Sequence, residues 1–283
     1  MSKYIFLDID GTLVDFDNTM PDSAREALLA AQKNGHKIFL CTGRLSAQIY
    51  PWLLEAIPFD GIISSSGANV ICGGKSVWNA HIPPEKMVLL AKKLREHGAI
   101  YCCHTNEHIL TRWLPEVYEI FMAKGLTKEE IDPLFCMAQD IDVTAEAAKG
   151  VDLGIEKAVY YHADLPLDGM RKALAPDFII DGYSYGGLPD TCGEITLAGV
   201  SKARGIEELT KVLGIATGNA PGIARADTIA VGDGSNDLAM VRWCGVGVAM
   251  GNASDELKAA ADLVTSPLRE DGIARAFHRL GLV

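Results

Sequence analysis

Apolar and polar positions alternate in a regular order over the first part of the chain. Residues 4–9 form a mostly apolar run, which is typical of a strand buried on both faces. From residue 22, possible capping residues precede apolar positions at helical spacing, and Asn34-Gly35 ends that predicted helix. Further strands are predicted at residues 36–41 and 61–64, with a helix between them. Strands that alternate with helices predict a parallel, doubly wound α/β sheet.

The same order returns in the last part of the chain. The hydrophobic pattern there predicts strands at residues 228–231 and 246–249. It predicts helices at residues 201–213, 237–243 and 254–261. Because both ends of the chain show this pattern, we expect them to build one Rossmann-like core.

The middle of the chain, residues 82–191, has a different pattern. Helices are predicted near residues 84–97 and 114–124, and a hairpin is predicted from residues 100–104 and 109–112. This segment is long enough to hold a hydrophobic core of its own. The predicted division is a core of residues 1–81 and 192–283, with an α/β domain of residues 82–191 inserted into it.

Polar clusters follow three of the predicted strands and open one of the predicted helices. They are Asp8-Ile9-Asp10-Gly11-Thr12, Thr42-Gly43-Arg44, Gly232-Asp233-Gly234-Ser235-Asn236-Asp237 and Ser201-Lys202. In an open parallel sheet, functional groups gather at the carboxyl ends of the strands. Taken singly, the Asp and Thr residues are also typical of helix caps and turns. Lys202 at a helix start is electrostatically unfavourable, and a bound phosphate would relieve that conflict.

The residue types in these clusters favour phosphate chemistry. Asp8 and Asp10 lie two apart in extended chain and point to the same side. Together with Asp233 they form an oxygen-rich set of ligands suited to Mg²⁺. Lys202 adds a positive charge, and Thr42 can donate a hydrogen bond to a phosphate oxygen. A carboxylate of this set can attack phosphorus while a neighbouring acid protonates the leaving alcohol.

A second Asp-x-Asp pair, Asp15 and Asp17, follows closely in the sequence. It comes after the turn that Gly11 permits, and it precedes Met20-Pro21 and a predicted helix. We interpret Asp15 and Asp17 as part of a loop that leaves the site.

Charge excludes some classes of partner. Lys and Arg number 26 against 37 Asp and Glu, which gives a net charge of -11. A nucleic-acid-binding protein normally presents a basic face, so we expect no nucleic-acid partner. The same charge repels anionic substrates at long range, so local cations must attract a phosphate.

The remaining composition is ordinary for a globular protein, with 48% hydrophobic residues. No stretch is as long and apolar as a membrane span, and the first residues enter a strand-like run rather than a signal peptide. The seven cysteines show no C-x-x-C spacing and are typical of buried thiols in a reducing compartment. We therefore expect no membrane partner and a cytoplasmic location.

The four clusters, in this order, resemble the four motifs of the haloacid dehalogenase (HAD) superfamily of phosphohydrolases. Residues 8–12 match its D-x-D-G-T motif, Thr42 matches the Thr after the second strand, and Lys202 matches the third motif. Residues 232–237 match the G-D-x-x-N-D motif. The segments EITLAGVSKARGI and GVGVAMGNASDELKAAADLVTSPLREDGIARAF are similar to the Cof-like branch, whose members carry a large α/β cap between the second and third motifs.

This resemblance implies roles for the acidic residues. Asp8 is the expected nucleophile, and Asp10 is the expected general acid and base. The expected cofactor is Mg²⁺, held by Asp8, the backbone carbonyl of Asp10, and Asp233. Asp237 is expected in the second metal shell or as a direct ligand.

The resemblance also implies the contacts of the phosphoryl group. Thr42, Gly43 and Lys202 are expected to contact it, and Asn236 is expected to hold either Lys202 or the phosphate. Many relatives have Asn-Gly-Ala after the third strand, where this chain has Ser66-Gly67-Ala68, so a substrate contact by that Asn is not expected.

The expected function is therefore a Mg²⁺-dependent phosphatase that acts on a small phosphorylated metabolite through an aspartyl-phosphate. By family analogy, sugar phosphates are the first class of substrate that we expect, and phosphorylated cofactors are the second. The alternatives are a phosphomutase of the same fold and a non-catalytic module that accepts a phosphoryl group. The sequence DGYSYGG, with Tyr183 and Tyr185, fits a cap loop over the substrate and a simple turn equally well.

Overall fold

The structure is a computed structural model that describes residues 2–182, 191–214 and 224–283. The chain divides into two compact units. The first comprises Met1–Arg44, Gln48–Asn79 and Ser201–Val283, and the second comprises Leu45–Ala47 and Ala80–Val200. The second unit therefore continues beyond residue 191, where the sequence placed its end. The predicted roles of the two domains stay a prediction, and Tyr183 and Tyr185 lie outside the described residues.

The regular elements of the described residues follow in chain order. The strands are β1 (Tyr4–Leu7), β2 (Lys37–Cys41), β3 (Gly61–Ser64), β4 (Asn69–Cys72), β5 (Lys75–Asn79), β6 (Ile100–His104), β7 (Ile109–Thr111), β8 (Ala138–Asp140), β9 (Lys157–His162), β10 (Phe178–Gly182), β11 (Gly193–Leu197), β12 (Thr228–Gly232), β13 (Val246–Ala249) and β14 (Leu263–Val264). The α-helices are α1 (Asp22–Lys33), α2 (Pro51–Ala56), α3 (Pro84–Glu96), α4 (Leu114–Ala123), α5 (Lys128–Ile131), α6 (Val143–Ala148), α7 (Leu167–Leu174), α8 (Lys202–Val212), α9 (Leu238–Trp243), α10 (Asp255–Ala260) and α11 (Gly272–Arg279). Short 3₁₀ turns lie at Ser46–Gln48, Ser65–Gly67, Asp132–Leu134, Arg225–Asp227, Ser235–Asp237 and Leu268–Glu270.

The first unit is built on a sheet of strand order β14-β13-β12-β1-β2-β3-β4-β5. From β14 to β3 the strands are parallel, and β1 lies between β12 and β2. Ile5, Phe6 and Leu7 of β1 are fully buried, as expected for a strand covered on both faces. The predicted α/β fold with a parallel sheet is confirmed. The sequence did not predict β4 and β5, which add an antiparallel hairpin at the edge.

The second unit is built on a separate sheet of strand order β10-β11-β9-β6-β7-β8. The hairpin predicted near residue 100 is present as the antiparallel pair β6 and β7. Alternate residues of β9 enter different hydrophobic clusters, with Ala158 and Tyr160 in one and Val159 and Tyr161 in the other. Strand β9 is therefore buried on both of its faces.

Two expectations about the whole chain concern membranes and thiols. None of the helices in the described ranges has both the length and the apolar character that a bilayer crossing requires. All seven cysteines are free thiols, and most of them are buried.

Close backbone packing at Gly67 joins the end of β3 to the start of α8. Gly67 has φ +101°, and a Cβ atom there would lie 2.0 Å from the carbonyl oxygen of Ser201. We expect Gly67→Ala to lower the free energy of unfolding by about 3 kcal/mol or more, through backbone strain and overpacking together. Urea denaturation measures this change.

Gly73 is the matched control, because its φ is +58° but no atom lies within 4 Å of a Cβ placed there. Gly73→Ala should therefore cost about 1–2 kcal/mol, from backbone strain alone. Equal losses in the two variants would contradict the role of close packing at Gly67.

Candidate active site

Two carboxylates follow neighbouring parallel strands. Asp8 comes directly after β1, Asp233 comes directly after β12, and these two strands pair in register. The backbone N–H of Asp8 continues the ladder by donating to the carbonyl of Val231 at 3.1 Å. Both side chains therefore leave the sheet at its carboxyl edge, and Asp8 is buried.

A buried ammonium group links Asp8 to a second acid. Lys202 Nζ lies 2.8 Å from Asp8 Oδ1 and 2.6 Å from Asp237 Oδ1, and its side chain is 0% exposed. Lys202 is the first residue of α8, and Ser201 caps that helix by accepting from the backbone N–H of Arg204. The unfavourable position of Lys202 at a helix start is thus offset by two carboxylates of the protein itself, where the sequence suggested a bound phosphate.

Asp237 also holds the loop that carries Asp233. Its Oδ2 accepts the backbone N–H groups of Asp233 and Gly234, both at 2.9 Å. Gly232 makes this approach possible, because a Cβ atom there would lie 2.4 Å from Asp237 Cγ. Each oxygen of Asp237 therefore already accepts a hydrogen bond from the protein. These contacts favour a positioning role for Asp237 over direct metal ligation.

Three carboxylates cluster at the candidate metal site, and two of them keep an oxygen without a hydrogen bond. Asp8, Asp233 and Asp237 each place an oxygen within 4.8 Å of the others. Among the described residues, Asp8 Oδ2 and Asp233 Oδ2 receive no hydrogen bond, while Asp233 Oδ1 accepts from Thr12 Oγ1 at 2.8 Å. Three acids against one buried ammonium leave a net negative charge. Free carboxylate oxygens with excess negative charge fit a hard divalent cation such as Mg²⁺.

The burial of these acids changes their proton affinities. Burial and the neighbouring Asp237 raise the pKa of Asp8 well above its ordinary value, against the opposing effect of Lys202. Burial, followed by Asp237, raises the pKa of Asp233 to about 7. Burial disfavours the ammonium of Lys202, but Asp237 and Asp8 outweigh this effect and raise its pKa. The protein alone therefore does not neutralise its own acidic cluster.

Asp10 lies outside this cluster and binds Arg44. The Arg44 guanidinium donates to both Asp10 oxygens at 2.7 Å, through Nε and Nη2, in a bidentate pair. Tyr50 supports the pair, because its hydroxyl accepts from Arg44 Nη2 at 2.5 Å and its ring lies 4.2 Å from Arg44 Cζ. Each Asp10 oxygen keeps a second lone pair that can accept a proton.

The proposed phosphate-binding residues differ in their surroundings. Thr42 is 1% exposed, and its Oγ1 accepts the backbone N–H of Arg44 at 3.1 Å, so the hydroxyl hydrogen remains available to a ligand. Gly43 follows it in the same loop. The Oδ1 atom of Asn236 is buried and has no hydrogen-bond partner, so Asn236 Oδ1 does not hold Lys202 here. An unpartnered buried amide oxygen is available to a bound group.

The turn after β3 has an unusual backbone. Ser65 and Ser66 have φ of +51° and +56°, in the left-handed region that favours Asn and Gly. Both are buried. Ser tolerates this region less well than Asn or Gly, so the chain keeps a costly backbone conformation at both positions.

Three supporting residues were not assigned roles from the sequence. Arg44 and Thr12 lie inside the recognised motifs, so their positions carried a signal, but no pattern indicated their partners. Asn252 lies in the last third of the chain, where its Nδ2 donates to the carbonyl of Gly11 at 2.8 Å. The position of Gly11 itself favours glycine, because its φ is +79° and a Cβ atom there would lie 2.3 Å from Asp233 Oδ2.

The second Asp pair has a separate partner. Asp15 and Asp17 both form ion pairs with Arg269, at 2.8 Å for Asp17, and the Arg269 side chain is 69% exposed. Neither belongs to the acidic cluster of Asp8, Asp233 and Asp237. This arrangement agrees with the interpretation of the second pair as loop residues.

The family of the chain follows from comparison with known proteins. The family model for haloacid dehalogenase-like hydrolases matches residues 5–277. The chain belongs to the haloacid dehalogenase-like hydrolases. It is 31% identical over 286 residues to the YkrA protein of Bacillus subtilis (strain 168), with 100% of this chain and 99% of that protein covered.

Other members of the family give the activity. The pyridoxal phosphate phosphatase YbhA of Escherichia coli (strain K12) is 28% identical over 299 residues, with 98% of each chain covered. The solved structure of the HAD subclass IIB sugar phosphatase BT4131 has a TM-score of 0.77 and 28% identity, with 100% of both chains covered. These relatives confirm the predicted HAD superfamily membership and the prediction of a phosphatase.

The acidic cluster predicts an unusual dependence of stability on pH in the metal-free protein. The folded-state pKa values of Asp8 and Asp233 lie above the ordinary carboxyl value, so the folded state binds more protons than the unfolded state. The stability from these groups is therefore greatest at acid pH and is lost as pH rises between about 4 and 7. Thermal melting in EDTA should show this fall.

Asp233→Asn should reduce the fall in stability with rising pH, whereas Asp140→Asn, at an exposed position, should leave that fall unchanged. Adding Mg²⁺ should restore stability most at the higher pH values, because metal binds the ionised acids. A slope that is the same in Asp233→Asn and in the unsubstituted protein would contradict the assignment of the pH dependence to Asp233.

Proposed function

We propose that the protein is a Mg²⁺-dependent phosphomonoesterase that forms an aspartyl-phosphate on Asp8 and releases inorganic phosphate. The observation that carries this proposal is the buried Lys202 ammonium between Asp8 and Asp237. It holds one Asp8 oxygen in place and supplies the positive charge that a phosphoryl group needs in an acidic protein.

Asp8 Oδ2 is the proposed attacking atom, since Oδ1 is bound to Lys202 and no described residue donates to Oδ2. Its attack forms an O–P bond and breaks the ester P–O bond, and the departing alkoxide takes a proton from Asp10. In the second step Asp10 accepts a proton from water as the water oxygen attacks phosphorus. The acyl phosphate then breaks, and phosphate and the Asp8 carboxylate are regenerated.

Asp8, Asp233 and the backbone carbonyl of Asp10 would hold Mg²⁺. When bound, the cation would neutralise charge on the phosphoryl oxygens and on the clustered acids. Asp237 contributes by positioning Lys202 and the loop of Asp233. Its hydrogen bonds support this role.

Thr42, Gly43, Lys202 and Asn236 would bind the phosphoryl oxygens. Thr42 and Lys202 can donate through their hydroxyl and ammonium groups, and Gly43 through its backbone N–H. The Asn236 side-chain amide can also donate, through Nδ2.

The proposed substrate is a small phosphorylated metabolite, either a sugar phosphate or a phosphorylated cofactor. The names of BT4131 and YbhA, as a sugar phosphatase and a pyridoxal phosphate phosphatase, support these two classes. We assign the selection of the alcohol part to the domain inserted between the second and third motifs, because fold alone does not determine it.

Removing the nucleophile or the metal tests the proposal. The purified protein should release free phosphate from an aryl phosphate with Mg²⁺, and EDTA should abolish the release. Asp8→Asn should lower kcat by on the order of 10⁴-fold or more. A continuous assay of released phosphate measures the loss of activity in EDTA and in Asp8→Asn.

The matched control is the double variant Asp15→Asn and Asp17→Asn, which should retain most of the activity because both residues bind the exposed Arg269. Full turnover by Asp8→Asn would show that another group is the nucleophile. Transfer of the phosphoryl group back to the substrate, without free phosphate, would instead indicate a phosphomutase.

The acid role of Asp10 predicts a dependence on the leaving group. Asp10→Asn should lower kcat for an alkyl phosphate by about 10²–10⁴-fold, because an alkoxide needs protonation as it departs. The loss should be smaller for a nitrophenyl phosphate, whose leaving group is stable without a proton. Equal losses for both esters would contradict general acid catalysis by Asp10 and would favour a structural role through Arg44.

A further inference from the structure

A cavity of about 570 Å³ lies within the second unit, and none of its lining residues belongs to the acidic cluster. Its walls come from α3, β6, β7, α4 and the start of α6. Part of the wall is apolar, with Leu110, Ile141 and Val143 among its residues. The size and the mixed lining are typical of sites for small molecules.

Several polar groups of the wall are already paired with the protein. Arg112 Nη1 donates to Asp142 Oδ2 at 2.9 Å, and Asp142 Oδ1 accepts the backbone N–H of Ala145 at 3.0 Å. Thr111 Oγ1 donates to the carbonyl of Tyr101 at 2.8 Å. These groups line the cavity, and their hydrogen bonds to the protein already satisfy them without a ligand.

Two charged groups in the wall remain available. Glu116 Oε2 is buried and has no hydrogen-bond partner. In the described part of the chain, the Arg95 side chain forms neither a hydrogen bond nor an ion pair, and the residue is exposed. A buried carboxylate oxygen without a donor is costly for a folded protein, which favours a ligand that supplies one.

Neutral groups complete the lining. The Tyr101 hydroxyl lies 3.4 Å from Thr144 Oγ1, which is long for a hydrogen bond, so both can reorient towards a bound molecule. Burial raises the pKa of Tyr101 to about 12, so the hydroxyl stays neutral at physiological pH. Trp113 is 39% exposed and gives the cavity an aromatic wall.

We propose that this cavity binds a free α-amino acid with an apolar side chain. The ammonium group donates to Glu116 Oε2, the carboxylate accepts from Arg95, and the side chain contacts the apolar wall and Trp113. One available acid, one available cation and an apolar surface match the three parts of such a zwitterion. The ligand binds in the second unit and does not require the phosphatase chemistry of Asp8.

The test uses the full-length protein and a panel of proteinogenic L-α-amino acids, measured by calorimetry and thermal shift. At least one apolar amino acid should bind saturably. Its Kd should rise by roughly tenfold or more in Glu116→Gln and in Arg95→Gln, since a hydrogen bond to a charged group is lost in each. The matched controls, Glu119→Gln and Lys92→Gln, replace exposed charges of the same two helices and should leave Kd within about twofold.

The ligand can be altered in place of the protein. The carboxylic acid that differs from the bound amino acid only by lacking the amino group should bind the unsubstituted protein roughly tenfold more weakly. The Glu116→Gln variant should bind both compounds with the same affinity. Binding should also change the tryptophan fluorescence, and Trp113→Phe should remove that change. The comparison of the amino acid with the compound that lacks the amino group, made on the unsubstituted protein, remains decisive if a charge variant fails to fold.

Binding should persist in Asp8→Asn, which separates this proposal from the proposed function. The absence of binding by any amino acid up to roughly 10 mM would overturn it. The proposal would also be overturned if neither charge substitution changed the Kd. It would equally be overturned if the unsubstituted protein bound the amino acid and the compound without the amino group with the same affinity.

Discussion

The buried ion cluster around Lys202 is the constraint on which the rest of the site depends. An ammonium group with 0% side-chain exposure must be paired, and Asp8 and Asp237 pair with it at 2.8 and 2.6 Å. These residues come from the end of β1, the start of α8 and the loop after β12, so the pairing joins distant parts of the sequence. With Asp233 included, the cluster holds more negative than positive charge, and that excess fits the divalent cation that we propose for the site.

The backbone around this cluster is adapted to close approach. Gly11 and Gly232 stand where a Cβ atom would collide with Asp233 or Asp237. Ser65 and Ser66 adopt left-handed conformations although they are not glycines. The local stability lost in these strained and like-charged positions is typical of catalytic sites, where geometry is maintained at the expense of stability.

Local sequence patterns predicted most of the fold. The strands at 61–64 and 246–249 were predicted with the bounds that the structure shows, because buried parallel strands appear as short apolar runs. The hairpin of β4 and β5 was missed. Most side chains of β5 are exposed, so its sequence lacks the alternation that identifies a half-buried strand.

The site was predictable to the extent that its residues lie in contiguous motifs. The motifs identified Asp8, Asp10, Lys202 and Asp233, but not their partners. The pairing of Asp10 with Arg44 and the support of Gly11 by Asn252 depend on how distant segments pack, which no local pattern encodes. The same is true of Asp237, whose two oxygens bind Lys202 and the loop of Asp233.

The central claim is that Asp8 carries the phosphoryl group during turnover, and trapping the intermediate tests it most directly. The protein is mixed with substrate and Mg²⁺, quenched in acid within the first turnover and reduced with borohydride, which converts an acyl phosphate to an alcohol. Peptide mass spectrometry should then find Asp8 converted to homoserine. Conversion of a different carboxylate, or turnover through an intermediate that leaves Asp8 unchanged, would contradict the account.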